Sequence, residues 1–306
     1  MQSTIKQTFT IKGIGLHTGR PVTMKVMPSA AELGIWFKRT DRVSGDPYVA
    51  AQWDSVQPSK LCTRLENADG VTVSTVEHLM AAFAGCGIQN ALIELSGPEV
   101  PILDGSAAPF VSAILKAGIQ RLDAPVRALA VLRTVSVEDG MASASLSPAD
   151  RLTISFSIDF ADAAIGHQQR TLDMANGAFV RTLCDSRTFC RQSDVDAMRA
   201  QGLALGGTVQ NAVVVDQDEV LTPGGLRHSD EPVRHKMLDA LGDLALTGGP
   251  ILGSYKGVRA GHALTNRLLR ALFADPRNYE WVTCDRSTLA RLPGVGVRVA
   301  DLPAVA

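Results

Sequence analysis

Residues 233–244 read VRHKMLDALGDL and predict a helix with two distinct sides. His235, Asp239 and Asp243 are spaced four residues apart, so they lie along one side of that helix. The other arc is apolar, as in a helix that packs on a core, and consists of Met237, Leu238, Leu241 and Leu244. Imidazole and carboxylate groups one turn apart can ligate one zinc ion, but solvated His–Asp pairs have the same spacing. From this helix alone, both interpretations stay open.

A stretch in the first half of the chain resembles this helix. Residues 78–85, HLMAAFAG, and residues 235–242, HKMLDALG, share a histidine, a methionine two positions later and a glycine seven positions later. These matches fit either an old duplication or chance. The pattern still indicates two similar helices, each bringing one histidine to a shared place, and pockets commonly form between two such halves.

Strand patterns and helical patterns alternate around these two stretches. Helices are predicted at 75–84, 107–117, 177–183, 194–201, 231–246 and 263–272. Strands are predicted at 8–11, 22–26, 34–37, 71–74, 90–95, 128–137, 142–146, 152–159, 212–215 and 251–255. We expect Ser74 or Thr75 to cap the first helix through its hydroxyl and Gly85 to end it. Residues 122–125, LDAP, form a predicted linker between two halves that each begin with strands.

The composition is that of an ordinary globular protein. The chain has 306 residues, of which 45% are hydrophobic and 20% charged, and a net charge of -1. The length favours two domains, and no surplus of positive charge indicates a nucleic-acid partner. No apolar run approaches the roughly 20 residues that span a bilayer, and the amino terminus lacks a signal peptide's apolar core. We therefore expect a cytoplasmic protein without a transmembrane segment.

The five cysteines are odd in number, widely spaced and without a C-x-x-C pair. This pattern predicts neither a disulfide framework nor a cysteine zinc cluster. Small, buried, inert side chains are the simpler interpretation.

Two further motifs contain histidine. Glu77 and His78 are adjacent in the first turn of a predicted helix, which suits a metal ligand beside a general base, although a first-turn glutamate also complements the helix dipole. His262 follows Gly261 at another helix start, where an anion or a carboxylate partner would be needed to keep the imidazole protonated, and a plain capping role fits equally well. Three histidines and one aspartate match a three-ligand catalytic zinc plus an acid–base histidine. Neither an H-E-x-x-H helix nor a phosphate-binding P-loop occurs.

Six segments together resemble the UDP-3-O-acyl-N-acetylglucosamine deacetylases, zinc hydrolases of lipid A biosynthesis. In chain order they are 13–19 (GIGLHTG), 74–79 (STVEHL), 101–110 (PILDGSAAPF), 186–189 (SRTF), 233–239 (VRHKMLD) and 261–264 (GHAL). The resemblance extends across nearly the whole chain. It implies an α+β fold of two similar domains, each a sheet with a helical layer, with the helices sandwiched between the two sheets. We expect domains at 1–123 and 126–300, the second with an insertion near 190–216.

The resemblance also implies a role for individual residues. Zinc would be held by His78, His235 and Asp239. Glu77 would be the general base, and His262, oriented by Asp243, the general acid. Thr188 would donate its hydroxyl to the tetrahedral intermediate. Substrate contacts are implied near the phosphates, on the uracil and along the acyl chain for Lys236, Arg259, Phe160, Phe189 and Leu203.

The insertion is where the resemblance is weakest. After Phe189 many relatives have a small or apolar pair, whereas this chain has Cys190 and Arg191, which leaves the acyl-chain contacts open. Ser193 is expected to cap a short helix on which Val195 and Met198 share one side. This segment either lines a passage for the 3-O-acyl chain or simply covers the domain core.

The implied substrate is an acylated UDP-sugar, and the expected protein is a monomer with at most transient contact with a membrane surface. A zinc amidase acting on another acylated amine would use the same ligands. A non-catalytic metal-binding paralogue is a third possibility, but it would need neither Glu77 nor His262. Iron would also accept these histidine and carboxylate ligands.

Overall fold

A computed structural model describes residues 1–59 and 61–303. Within them the first half of the chain forms β1 (Ser3–Ile5), β2 (Phe9–Ile14), β3 (Pro21–Met27), β4 (Ile35–Arg39), β5 (Tyr48–Ala50), β6 (Val56–Gln57), β7 (Arg64–Glu66), β8 (Thr72–Ser74), α1 (Glu77–Cys86), β9 (Ala91–Leu95), α2 (Ala108–Ala117) and β10 (Ile119–Arg121).

The second half forms β11 (Arg127–Val131), β12 (Val135–Asp139), β13 (Ala142–Pro148), β14 (Leu152–Asp159), β15 (His167–Asp173), α3 (Ala178–Thr182), β16 (Phe189–Arg191), α4 (Gln192–Ala200), β17 (Val213–Asp216), β18 (Glu219–Val220), α5 (Glu231–Leu244), β19 (Ile251–Val258), α6 (His262–Phe273), β20 (Tyr279–Thr283) and α7 (Arg286–Leu289). Short 3₁₀ helices lie outside these elements at Trp53–Ser55, Ala245–Thr247, Pro276–Asn278 and Val299–Asp301.

Each half is built on one large sheet. The first has the order β2-β3-β9-β4-β5, with β4 parallel to β9 and the other pairs antiparallel. The second has the order β12-β13-β19-β11-β20, and β14 also joins β19 in parallel, with β15 beside it. Smaller sheets are β6-β7-β8 and β16-β17-β18, and β1 pairs with β10. This is the α+β two-domain fold that the sequence predicts.

The sheets are apolar on one face only, which is why each carries a single helical layer. Alternate residues of β14 are buried, as are alternate residues of β3, while their neighbours are more exposed. Such alternation is typical of a sheet with one face on the core and one toward solvent. Buried side chains of both sheets and of the helices form one continuous cluster.

Helices α1 and α5 lie against each other at the centre of the molecule. All but one of the ten residues of α1 are buried, and 12 of the 14 residues of α5 are buried. Gly242 makes this close approach possible, because a Cβ atom there would lie 2.0 Å from the carbonyl oxygen of Glu77. The packing therefore places the N-terminal turn of α1 directly beside the C-terminal turn of α5.

The predictions for the ends of α1 are wrong. Thr75 adopts a left-handed conformation with φ of 59°, so the helix begins only at Glu77, and its hydroxyl donates to Glu99 instead of capping. Gly85 lies inside the helix, which ends at Cys86 and is capped by the left-handed Gly87. A helix can absorb one glycine at a modest cost, and this one lies where α1 packs tightly.

Three other sequence predictions need correction. The predicted strand 128–137 is two strands, β11 and β12. Helix α4 begins at Gln192, so Ser193 lies inside it and makes no capping bond. Strand β15 was not predicted, because it has no buried residue and its sequence, HQQRTLD, shows no apolar alternation.

All five cysteines are unpaired, as expected, and four of them are buried. Among the described residues no helix is both long and apolar enough to cross a membrane.

Candidate metal centre and active site

Helices α1 and α5 bring the three predicted metal ligands together. His78 lies in the first turn of α1, and His235 and Asp239 lie one turn apart on α5. One potential ligand atom from each lies within 4.8 Å of the others. The Oδ1 atom of Asp239 is 3.3 Å from Nε2 of His235 and 3.6 Å from Nε2 of His78. All three side chains are buried.

The remaining polar atoms of this cluster leave these three atoms free for a cation. Nδ1 of His235 lies 3.0 Å from the carbonyl oxygen of Ser186, which can only accept, so Nδ1 carries the proton and Nε2 keeps a lone pair. Oδ2 of Asp239 accepts from Nζ of Lys236 at 2.9 Å. Its Oδ1 is buried and has no hydrogen-bond partner within the described residues. A buried, unpartnered carboxylate oxygen facing two imidazole nitrogens fits a metal site.

The electrostatics keep these groups in the metal-binding form. Burial lowers the pKa of His78 to about 3, and burial also lowers the pKa of His235. For Asp239, burial raises the pKa, but the imidazoles and the ammonium of Lys236 more than offset it, so the net pKa lies well below its ordinary value. Neutral imidazoles and an ionised carboxylate are the states that bind a metal.

Glu77 and His262 face each other across this centre. Nε2 of His262 is 3.8 Å from Oε1 of Glu77 and 3.9 Å from Oδ2 of Asp239. His262 begins α6, and its Nδ1 lies 2.8 Å from Oδ2 of Asp243. The imidazole at this helix start thus has a buried carboxylate as its partner.

Burial raises the pKa of Glu77, and the neighbouring carboxylates add to it, so that it reaches about 7 despite the opposing charge of His262. For His262, burial lowers the pKa, but Asp243, Glu77 and Asp239 outweigh burial and raise it to about 9. The pair therefore combines a carboxylate that can take a proton near neutral pH with an imidazolium that can give one.

Comparisons with known proteins relate the whole chain to one family. The family model for UDP-3-O-acyl N-acetylglycosamine deacetylase matches residues 2–274. The chain is 48% identical over 275 residues to the UDP-3-O-acyl-N-acetylglucosamine deacetylase of Phenylobacterium zucineum, covering 90% of this chain and 94% of that protein. It is 45% identical over 284 residues to the proteins of that name from Mannheimia succiniciproducens and Photobacterium profundum, with 92% of this chain and 93% of each relative covered.

The chain belongs to the UDP-3-O-acyl-N-acetylglucosamine deacetylase family. The resemblance found in the sequence is confirmed, and with it the assignment of the chain to a family of hydrolases.

Thr63 lies beside Glu77 and Asp243 in this deacetylase family member, and its sequence does not predict that position. The backbone N–H of Thr63 donates to Oε2 of Glu77 at 3.0 Å, and its hydroxyl donates to Oδ1 of Asp243 at 2.5 Å. Thr63 therefore ties the carboxylate of Glu77 to the one that orients His262. Its sequence context, LCTRL, contains no pattern that distinguishes it from any other loop threonine.

A buried ion pair supports the far side of the centre. Glu231 is fully buried and accepts from the backbone N–H of Arg187 at 2.9 Å and from its guanidinium at 2.9 and 3.1 Å. This pair fixes the segment that carries the Ser186 carbonyl under His235 and the neighbouring Thr188. The backbone N–H of Thr188 donates to Gly105 at 2.8 Å, which links the segment to the first half of the chain.

Phe160 and Phe189, two of the residues predicted to contact substrate, lie beside this segment. The ring of Phe160 packs edge-on against Phe189 at a centroid distance of 5.5 Å, and Phe189 packs in the same way against His235 at 6.4 Å. Arg259 pairs with Asp159, the neighbour of Phe160 in the chain. Lys236 is occupied by Asp239, so a substrate phosphate would share its ammonium with that carboxylate.

Two cavities lie near the centre, one beside the start of α6 and one beside α1 and α5. One, of about 360 Å³, opens beside His262 and Thr63 and carries Arg267 and Arg270 in its wall. The other, of about 490 Å³, lies at the opposite ends of α1 and α5, beside Ala84, and contains none of the predicted site residues. Of the two, only the first is lined by a residue of the predicted site, His262.

Proposed function

We propose that this protein is a zinc-dependent deacetylase that hydrolyses the N-acetyl group of a UDP-3-O-acyl-N-acetylglucosamine. The products are acetate and the UDP-3-O-acyl-glucosamine, and the reaction commits its substrate to lipid A biosynthesis. The observation that carries the proposal is the convergence of three buried ligand atoms next to an opposed carboxylate–imidazole pair. Family membership supplies the substrate class.

His78, His235 and Asp239 would hold the zinc ion. When bound, zinc polarises a carbonyl oxygen and lowers the pKa of water to about 7. The Ser186 carbonyl fixes the tautomer of His235, and Lys236 fixes the second oxygen of Asp239, so these neighbours orient the ligands.

Glu77 would act as the general base. It removes a proton from the water that adds to the acetyl carbonyl carbon, and the Thr63 N–H holds its other carboxylate oxygen in place. His262 would act as the general acid. Its Nε2 proton passes to the glucosamine nitrogen as the C–N bond breaks, while Asp243 holds Nδ1 and stabilises the imidazolium.

Thr188 would donate its hydroxyl to the oxyanion of the tetrahedral intermediate, a role supported by its place on the segment that also holds His235. Lys236 and Arg259 would contact the phosphates. Phe160 and Phe189 present adjoining aromatic rings, which suits stacking on the uracil for Phe160.

The insertion near 190–216 would line a passage for the 3-O-acyl chain. Helix α4 has no buried residue, and Val195 and Met198 are half-buried on the same side. A helix that only covered the core would bury these side chains, so the exposure favours the passage. Burying one methylene is worth about 0.8 kcal/mol, or roughly fourfold in affinity, so a long chain could dominate substrate selection. Leu203→Asp should then penalise a long-chain substrate and spare one without the chain.

The proposed function is tested by acetate release from a panel of acylated UDP-sugars with metal-loaded protein. We expect turnover of the N-acetylated, 3-O-acylated nucleotide sugar, with a loss of orders of magnitude in kcat/KM when the 3-O-acyl chain is missing. Faster turnover of an unrelated acylated amine would favour the general amidase. Bound zinc without any amide hydrolysis would favour the non-catalytic paralogue. Full activity with iron alone would identify iron, and not zinc, as the catalytic metal.

Domain limits of 1–123 and 126–300, a monomeric state and a cytoplasmic location belong to the same proposal. The division is supported by the strand pairing, because the chain passes from one large sheet to the other between β10 and β11.

A further inference from the structure

Glu99 is a buried carboxylate that the mechanism does not use. It is 1% exposed and lies in the connection after β9. Its Oε1 accepts from the backbone N–H of His17 at 2.8 Å and from the hydroxyl of Thr75 at 3.0 Å. Its Oε2 accepts from the backbone N–H of Thr18 at 3.0 Å and from the Thr18 hydroxyl at 2.8 Å. One side chain therefore joins the turn between β2 and β3 to Thr75, two residues before the start of α1.

On one side, Glu99 holds the turn at 15–19, and that turn holds the insertion. The backbone N–H of Leu205 donates to the carbonyl of His17 at 3.2 Å, and that of Gly206 donates to Leu16 at 2.9 Å. The contact is tight, since a Cβ atom on Gly206 would lie 2.2 Å from the carbonyl oxygen of Gly15. The end of the proposed acyl passage is thus fixed to a turn that Glu99 organises.

On the other side, Glu99 holds the start of the catalytic helix. It runs alongside Ser74 in a short parallel bridge, and the N–H of Val100 donates to the carbonyl of Ser74 at 3.0 Å. Thr75 has a positive φ of 59°, a conformation unfavourable for a β-branched residue. Its bond to Glu99 holds that conformation only two residues before Glu77.

We propose that Glu99 is a positioning residue that couples the seat of the acyl-chain insertion to the placement of Glu77 and His78. The proposal rests on the proposed function, in which residues 190–216 line the acyl passage. The coupling would let the bound 3-O-acyl chain affect catalysis. Binding energy from a group far from the reacting amide can be used to align the base only if the two places are mechanically connected. Glu99 supplies that connection through four hydrogen bonds.

Variants that each remove one hydrogen bond to Glu99 separate its contacts with α1 from its contacts with the turn at 15–19. Thr75→Ala removes only the bond on the helix side, so we expect kcat to fall about tenfold on substrates with and without the 3-O-acyl chain, and Thr75→Ser to restore it. Thr18→Ala removes a bond on the turn side, so kcat/KM should fall about tenfold for the acylated substrate and stay unchanged for the chainless one. Glu99→Gln, which places an NH₂ group against N–H or O–H donors, should show both losses.

Amide hydrogen exchange tests the coupling without relying on activity. Thr75→Ala should raise exchange at Leu205 and Gly206, although neither residue contacts Thr75, because the disturbance passes through Glu99. Unchanged exchange at these two amides would overturn the coupling, and it could be measured even if the protein proved to have no deacetylase activity. The turnover of the unmodified protein tests the proposed function separately.

Asn90→Ala is the matched control for a general loss of stability. Asn90 is also buried, accepts from Gly34 and donates to Gln2, but it lies at the opposite end of β9. We expect it to lower the melting temperature while leaving the ratio of acylated to chainless turnover at its original value. If Thr18→Ala, Thr75→Ala and Asn90→Ala all change activity only in proportion to their melting temperatures, Glu99 has a structural role alone. Should Glu99→Gln fail to fold, the two threonine variants decide the question.

Discussion

Helices α1 and α5 share a histidine, a methionine and a glycine at the same spacing, yet they bring opposite chemistry to the centre. On α1, His78 is preceded by Glu77, a carboxylate whose pKa burial raises to about 7. On α5, His235 is followed by Asp239, whose pKa is depressed by the surrounding imidazoles and by Lys236 despite its burial. The two carboxylates lie in equally buried surroundings, so their neighbours, not their burial, separate them.

This difference shows how two helices with a shared sequence pattern can contribute different groups to one reaction. A carboxylate held ionised beside two imidazoles is a metal ligand, and one that can take up a proton near neutral pH is a base. Lys236 contacts Asp239 directly at 2.9 Å, whereas among the described residues the nearest cation to Glu77 is His262 at 3.8 Å. The position of one lysine therefore helps to give the two carboxylates the different pKa values that the proposed roles of ligand and base require.

The largest effect should come from removing either histidine. If each helix contributes a histidine to the metal site, His78→Ala and His235→Ala should each lose the bound zinc and all measurable turnover, because a catalytic zinc has three protein ligands. Metal content and acetate release check this. Wild-type protein treated with a chelator should recover on addition of zinc, and His167→Ala, on the exposed strand β15, should keep both metal and activity. Retention of zinc by either ligand variant would contradict the shared site.

The next effect separates base from ligand. Glu77→Ala should keep near-normal zinc and lose about 10²–10⁴-fold in kcat, the usual cost of removing a general base. Glu77→Gln is the closer match, because its amide oxygen can still accept from the N–H of Thr63. Metal analysis and kcat are measured on the same sample. Loss of zinc from these variants would mean that α1 contributes a second ligand instead of a base.

The pH profile of kcat/KM should be bell-shaped, because the base must be deprotonated and the acid protonated. Activity falls as the pH drops through the pKa of Glu77, about 7, and again as it rises through the pKa of His262, about 9. A bound zinc cation disfavours the protonated forms of both Glu77 and His262. The midpoint of each limb should therefore lie at or below these pKa values. His262→Ala should lower the rate by about 10²-fold and flatten the basic limb. A basic limb that persists in this variant would assign the acid to another group.

The sequence predicts the parts of this centre that have a helical period. The spacing on one helix places His235, Asp239 and Asp243 along one side, whereas their roles and the fold class are what the family resemblance implies. The start of α1 could not be predicted in the same way, because the left-handed Thr75 is held by Glu99, which lies 24 positions later in the chain. Local propensity favours a capping role for this threonine, and the tertiary contact overrides it.

Residues in loops are predicted least well, for the same reason. Thr63 reaches Asp243 from 180 positions away, and neither its type nor its spacing distinguishes it. The edge strand β15 has no buried residue and therefore no apolar period. In the sequence, Gly242 is notable only as a glycine shared by two similar stretches. The structure shows that it lies where α5 packs closely against the backbone of α1.

The smallest predicted effect tests that shared glycine. Gly242→Ala would place a methyl group 2.0 Å from the backbone oxygen of Glu77, and backbone cannot turn aside as a side chain can. The gain in helix propensity of up to about 1 kcal/mol is then outweighed by overpacking, which typically costs about 1–3 kcal/mol. We expect lower stability and weaker zinc binding, because separating α1 from α5 moves His78 away from His235 and Asp239. Urea unfolding and competition with a chelator measure the two effects.

Gly85→Ala at the equivalent position of α1 is the matched comparison. Its new methyl group would meet the ring of Phe179 at 2.0 Å, a side chain of α3 and not the backbone of α5. It should also lower stability, since that ring is buried, but it leaves the approach of α1 to α5 intact and should spare zinc affinity. Equal losses of zinc affinity in the two variants would show that the glycines serve general packing. A loss confined to Gly242→Ala would show that the distance between the helices sets the geometry of the ligands.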